Sequence, residues 1–213
     1  MTSAIRDTQK PDTLLLNVAI IPPENIAAAA SKLSREAQAL GGSFQVDNAD
    51  RFAHITLYMA RFRRSELARV RLAFQELDGS LHQHAIQHTG YFVTADGYYE
   101  ISYARTPALL AAQEIVTKSV GGFRFSPGSP VREAYFGRYS RQQRLNAREW
   151  GYDLAGELYR PHVTLTRFPG WPARESLPVA AGDLSFTAAR IGLFEADQLG
   201  AARTLLGAIE LAS

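Results

Sequence analysis

The chain has 213 residues, of which 46% are hydrophobic and 21% charged, with 23 basic side chains against 21 acidic ones. That length suits one domain, or one domain of two packed lobes, with ample material for a core. It contains no cysteine, which excludes disulfides, thiolate nucleophiles and cysteine-ligated zinc and sits well with a cytoplasmic protein. The longest apolar run, Leu14-Leu15-Leu16 followed by Val18 to Ile21, is too short to span a membrane.

Taken in order, residues 1–12 read as a disordered leader without an apolar signal core. Thr13 to Ile21 reads as a buried strand ended by Pro22-Pro23. Helical spacing of Ile26, Ala30, Leu33 and Ala37 predicts a helix from Glu24 to Leu40, stopped by Gly41-Gly42. Ser43 to Val46 is a short strand candidate, and Phe52 to Met59 a longer one. A helix is expected from Ser65, as N-cap, to Asp78-Gly79. Ala85 to Thr94 and Tyr98 to Ala104 predict a hairpin that turns at Ala95-Asp96-Gly97. Thr106-Pro107 is a helix start, cap followed by proline, for a helix to about Ser119.

Residues 123–158 read as an insertion. It is arginine-rich (Arg124, Arg132, Arg138, Arg141, Arg144, Arg148), with Tyr135, Phe136 and Tyr139 interleaved. Such a mix can bind phosphates and stack on a base, or it can be a solvated amphipathic segment whose aromatics are core. Leu145, Trp150, Leu154 and Leu158 are expected to face inward. Pro161 to Phe168, Leu184 to Phe194 and Thr204 to Leu211 are the remaining strands. The whole reads as an α+β protein, a single bilobal domain over 13–213.

One pattern occurs twice: His54-Ile55-Thr56-Leu57 and His162-Val163-Thr164-Leu165. Side chains alternate faces along a strand, so each copy puts His and Thr on one face and two aliphatics on the other. Two imidazoles sharing a groove make an acid–base pair without a metal. Phosphodiester cleavage needs that division, one group activating the incoming oxygen and the other protonating the leaving one. Threonine hydroxyls can hold the non-bridging oxygens.

The paired motif resembles the signature of the 2H phosphoesterase superfamily, whose best-known branch is the 2′-5′ RNA ligase/RNA 2′,3′-cyclic phosphodiesterase group. Tyr159-Arg160-Pro161, Arg167 and Ile191-Gly192-Leu193-Phe194-Glu195 also resemble the family's flanks. The resemblance implies a pseudo-two-fold fold, with two antiparallel sheets flanking a central groove and helices outside. It implies catalytic His54 and His162, phosphate-binding Thr56 and Thr164, and neither cofactor nor metal. The expected activity is metal-independent opening of a 2′,3′-cyclic phosphate on an RNA terminus or small nucleotide. Alternatives at the same site are 2′-5′ RNA ligation and the binding of RNA or nucleotide ends without turnover. No membrane and no obligate protein partner is evident.

Other groups carry weaker readings. His84 and His88 would share one strand face, with His82 beside them, which suits a metal or, more simply, edge-strand histidines. Arg61, Arg63, Arg64, Arg69 and Arg71 form either a basic rim that steers nucleic acid or a solvated face. Tyr58 and Thr166, four residues past their histidines, would extend the groove or cap the sheet.

Overall fold

The computed structural model describes residues 12–125, 138–170 and 177–213. The leader up to residue 11, and Arg132, Tyr135 and Phe136 of the arginine-rich stretch, lie outside the described residues.

The first sheet is built on β1 (Thr13–Ile20), a strand buried along nearly its whole length. Beside it lie β2 (Ile55–Arg63) on one flank and β8 (Arg190–Ala196) and then β9 (Ala202–Glu210) on the other, all antiparallel. The second sheet runs in the order β4 (His88–Val93), β5 (Tyr98–Tyr103), β6 (His162–Arg167), again antiparallel. A third, two-stranded ladder joins β3 (His84–Ile86) to β7 (Phe186–Ala188). The expected hairpin is therefore split: its first half breaks at Gln87 and serves two sheets, and the span Leu184 to Phe194 breaks likewise between β7 and β8. The antiparallel two-sheet plan holds, with this small ladder added.

Both strands that follow the repeated pattern, β2 and β6, are edge strands of their sheets, and they meet each other. Ile55, Leu57, Val163 and Leu165 are fully buried, so two aliphatic anchors hold each strand, each contributing about 1.5–3 kcal/mol by burial. The helices are exchanged between the lobes. Helix α1 (Glu24–Ala39) follows β1 but packs on β6, whereas α3 (Pro107–Gly121) follows β5 but packs on β2. Helix α2 (Leu67–Gln75) lies against α3 and β9.

Local chemistry explains most boundaries. Thr106 Oγ1 accepts the Leu109 amide at 3.2 Å, with Pro107 in the first turn of α3. Gly97 turns the β4–β5 hairpin at φ 85°, and a Cβ there would lie 2.3 Å from the Phe168 carbonyl oxygen. Only glycine lets the end of β6 close onto that turn. Ser65 is not a cap: it sits within a 3₁₀ turn, Arg64–Glu66, ahead of α2. Ser43 to Val46 is not a strand. It seals the free edge of β6 instead, through Ser43 N to Arg167 O at 2.9 Å and Thr166 Oγ1 to Phe44 O at 2.7 Å.

The stretch after residue 137 contains helix α4 (Arg141–Trp150), closed by a Ser140–Gln143 capping box and ended by Gly151 at φ 72°. Leu145 is 45% exposed, contrary to expectation. Asn146 and Ala147 are its buried residues, and Trp150 and Leu154 pack on the core.

Candidate active site

His54 immediately precedes β2, and His162 is the first residue of β6. The two rings are anchored alike. His54 Nδ1 is 2.8 Å from the carbonyl oxygen of Phe52, and His162 Nδ1 is 2.7 Å from that of Arg160, in each case two residues back. A carbonyl only accepts, so Nδ1 carries the hydrogen in both rings and Nε2 is the working nitrogen. Both histidines, Thr56 and Thr164 line one cavity of about 320 Å³ between the lobes. The two copies of the pattern thus converge on a single site.

Each motif strand is buttressed by a buried polar residue from its neighbouring strand. On β1, fully buried Asn17 donates from Nδ2 to Thr56 Oγ1 at 3.0 Å. With a lone pair so engaged, the Thr56 hydroxyl hydrogen is free to point into the cavity. On β5, buried Glu100 places Oε1 3.5 Å from His162 Nε2, while its other oxygen bonds Arg160. Tyr159 adds a bond from its hydroxyl to the Thr56 carbonyl at 3.1 Å. Sequence reading missed Asn17 and Glu100. Their signal was a polar residue interrupting an apolar strand, Leu-Asn-Val in one case and Tyr-Glu-Ile in the other.

The two imidazoles differ electrically. Burial pushes His54 down to about 4, which the Phe52 carbonyl and Asp197 oppose and His162 reinforces. Its ring is therefore neutral at pH 7 and able to accept a proton. His162 instead has a carboxylate beside its working nitrogen, placed to pair with the ring when it is protonated. Arginines balance three cavity carboxylates: Arg51 pairs with Asp197, Arg138 with Asp96 and Arg160 with Glu100.

The stretch read as an insertion also lines the cavity, through Arg138, Tyr139, Gln143, Tyr152, Asp153 and Leu154. Of its described arginines, only Arg138 lines the cavity; Arg144 instead bonds the Tyr139 carbonyl. Tyr58 and Thr166 do not extend the groove. Tyr58 is buried and donates to the Trp150 carbonyl at 2.6 Å, and Thr166 is consumed in sealing the β6 edge. The arginines after the first motif are also absent from the cavity lining. Arg63 is nine residues past His54, roughly 30 Å along an extended chain, and pairs with Asp12. His84 and His88 lie in different sheets. Among the described residues, no group of three or more potential ligands could hold a metal ion.

No family model matches the sequence, and no curated protein does. Solved structures do match the fold. TT0787 of Thermus thermophilus is 17% identical, with 93% of this chain and 98% of that one covered at a TM-score of 0.60. E. coli LigT complexed with 3′-AMP is 12% identical, over 94% and 99% at 0.56. E. coli LigT complexed with phosphate is 13% identical, over 95% and 99% at 0.53. The chain has the 2H phosphoesterase fold. The strands that carry the two motifs, β2 and β6, are edge strands of two separate antiparallel sheets. Among the described residues, no helix is long and apolar enough to cross a membrane.

Proposed function

We propose that this protein is a phosphodiesterase that opens 2′,3′-cyclic phosphates without a metal, with His54 as general base and His162 as general acid. One observation carries the reading: two identically anchored imidazoles and two threonines share one cavity. Neutral His54 takes a proton from water as its oxygen attacks phosphorus. The bond from phosphorus to one ribose oxygen breaks, and protonated His162 delivers its Nε2 hydrogen to that leaving oxygen. Glu100 holds the His162 imidazolium before the transfer, and Thr56 and Thr164 donate to the non-bridging oxygens. After turnover the two rings have exchanged protonation states, and solvent resets them.

A volume of about 320 Å³ lies at the small end of ligand pockets, matching one nucleotide rather than a run of them. The substrate is then a nucleoside cyclic phosphate or the last nucleotide of an RNA. Of the structures similar in fold, one LigT structure holds phosphate and another 3′-AMP, which supports a nucleotide ligand.

The test is hydrolysis of the four nucleoside 2′,3′-cyclic phosphates in excess EDTA. We expect turnover that falls by a factor of about 100 or more in His54→Ala and in His162→Ala. Wild-type rates in either variant, or activity abolished by EDTA, would refute the assignment.

A further inference from the structure

Phe92 lies on β4, the edge strand of the second sheet, and is 48% exposed. Three of its neighbours line the cavity. Glu100 is directly opposite it across the β4–β5 ladder, and Thr164 is directly opposite Glu100 across the β5–β6 ladder. Residues paired in this way share a sheet face, so Phe92, Glu100 and Thr164 form a row that ends at the motif strand. Thr94, two residues past Phe92, is the second cavity neighbour. The third, Arg160, ties the row together: its guanidinium bonds Glu100 and lies 5.2 Å from the centroid of the Phe92 ring. The Arg160 side chain is 37% exposed, and its carbonyl oxygen holds His162 Nδ1.

Phe92 itself does not line the cavity. Two ladder steps put its backbone about 10 Å from that of Thr164, and one nucleotide fills a volume of about 320 Å³. The open ring therefore stands just beyond the space that a terminal nucleotide occupies, on a surface continuous with it. An aromatic ring stacks on any base, and a guanidinium binds phosphate. Glu100 engages Nη1 of Arg160, and the fork has further N–H donors for the phosphate that joins one nucleotide to the next.

Resting on the proposed nucleotide site, we propose that Phe92 and Arg160 form a second subsite, which takes the nucleotide on the 5′ side of the terminal one and makes an RNA end a better substrate than a free cyclic nucleotide.

The experiment is calorimetric binding of adenosine 3′-monophosphate and of the adenine dinucleotide carrying the same 3′-phosphate, to the intact chain and to Phe92→Ala. The readout is the ratio of the two affinities. In the wild type the dinucleotide should bind about ten-fold tighter, as for one stacked base. In Phe92→Ala the ratio should fall most of the way to one, and Phe92→Tyr, which keeps the ring, should restore it. A dinucleotide whose first residue is abasic keeps the linking phosphate and loses the base, so its affinity should fall between the two. A ratio of one in the wild type, no binding of either nucleotide, or a ratio that Phe92→Ala leaves intact would overturn the proposal. If Phe92→Ala does not fold, the wild-type ratio with the abasic ligand in the middle decides. The outcome is separable from that of the hydrolysis assay. Turnover of cyclic mononucleotides with a binding ratio of one sinks the second subsite alone. A ratio that depends on Phe92, without turnover, supports the subsite while sinking the proposed hydrolysis.

Discussion

Asn17→Leu should leave the protein as stable as before, or more so, while slowing it. The side chain is fully buried between Met59 and Phe194 in the β1 ladders. Its Nδ2 makes one hydrogen bond, to Thr56 Oγ1 at 3.0 Å, worth about 1 kcal/mol net. Its Oδ1 is buried without a partner among the described residues, which costs about 1–3 kcal/mol. Leucine removes both contributions, fits a strand and adds apolar burial. The sum is a gain of about 1 kcal/mol, or a midpoint raised by about 2–4 °C for a chain of this size. Activity moves the other way. Without the Asn17 hydrogen on its lone pair, the Thr56 hydroxyl rotates freely, and kcat on a cyclic nucleotide should fall about ten-fold. Urea unfolding and steady-state kinetics on one preparation measure both. A loss of more than about 2 kcal/mol would show that Oδ1 is satisfied in solution, and an unchanged kcat would show that Asn17 orients nothing. Asn17→Asp is the control: its carboxylate takes the Thr56 hydrogen for itself, so activity and stability should both drop.

His54 makes stability depend on pH in a defined window. Its folded value, about 4, lies below the unfolded value of about 6.5, so the unfolded chain takes the proton first. The stabilisation is therefore complete above the unfolded value and is lost as pH falls from about 6.5 to about 4, by at most about 3 kcal/mol. Chemical denaturation across that range should show a slope that His54→Asn flattens; an equal slope in the variant would refute it. Glu100→Gln withdraws the buried charge that holds Arg160 and faces His162 Nε2. A loss of about 2 kcal/mol is expected, as for a hydrogen bond to a charged group, together with about a ten-fold fall in kcat. An unaltered kcat would remove Glu100 from the proposed reaction.

Much of the site was legible because its chemistry is local. A strand's two-residue period ties His to Thr and aliphatic to aliphatic, so His54-Ile55-Thr56-Leu57 declared its faces without a fold. Thr106-Pro107 and Gly97 were legible for the same reason, since the cap and the positive φ are settled within four residues. What escaped depends on contacts far apart in the chain. Glu100 acquires meaning only when β5 lies beside β6, and Asn17 only when β1 lies beside β2. Tyr58 left the groove because β2 carries an extra residue at Leu57, where its register with β1 shifts, so that Met59 rather than Tyr58 lines the cavity with His54 and Thr56. Leu145 fooled the helical pattern because α4 buries Asn146 to clamp a loop, a polar task that hydrophobic periodicity does not register.

The exchange of helices between the sheets has a mechanical consequence. Since α1 starts from one sheet and braces the other's motif strand, and α3 does the reverse, neither half can swing outward without stripping a helix from its seat. The gap between the two imidazoles is then set by the body of the protein rather than by a hinge. A ligand would find both imidazoles already in place, and chain unfolding should remove both halves of the candidate site in one step.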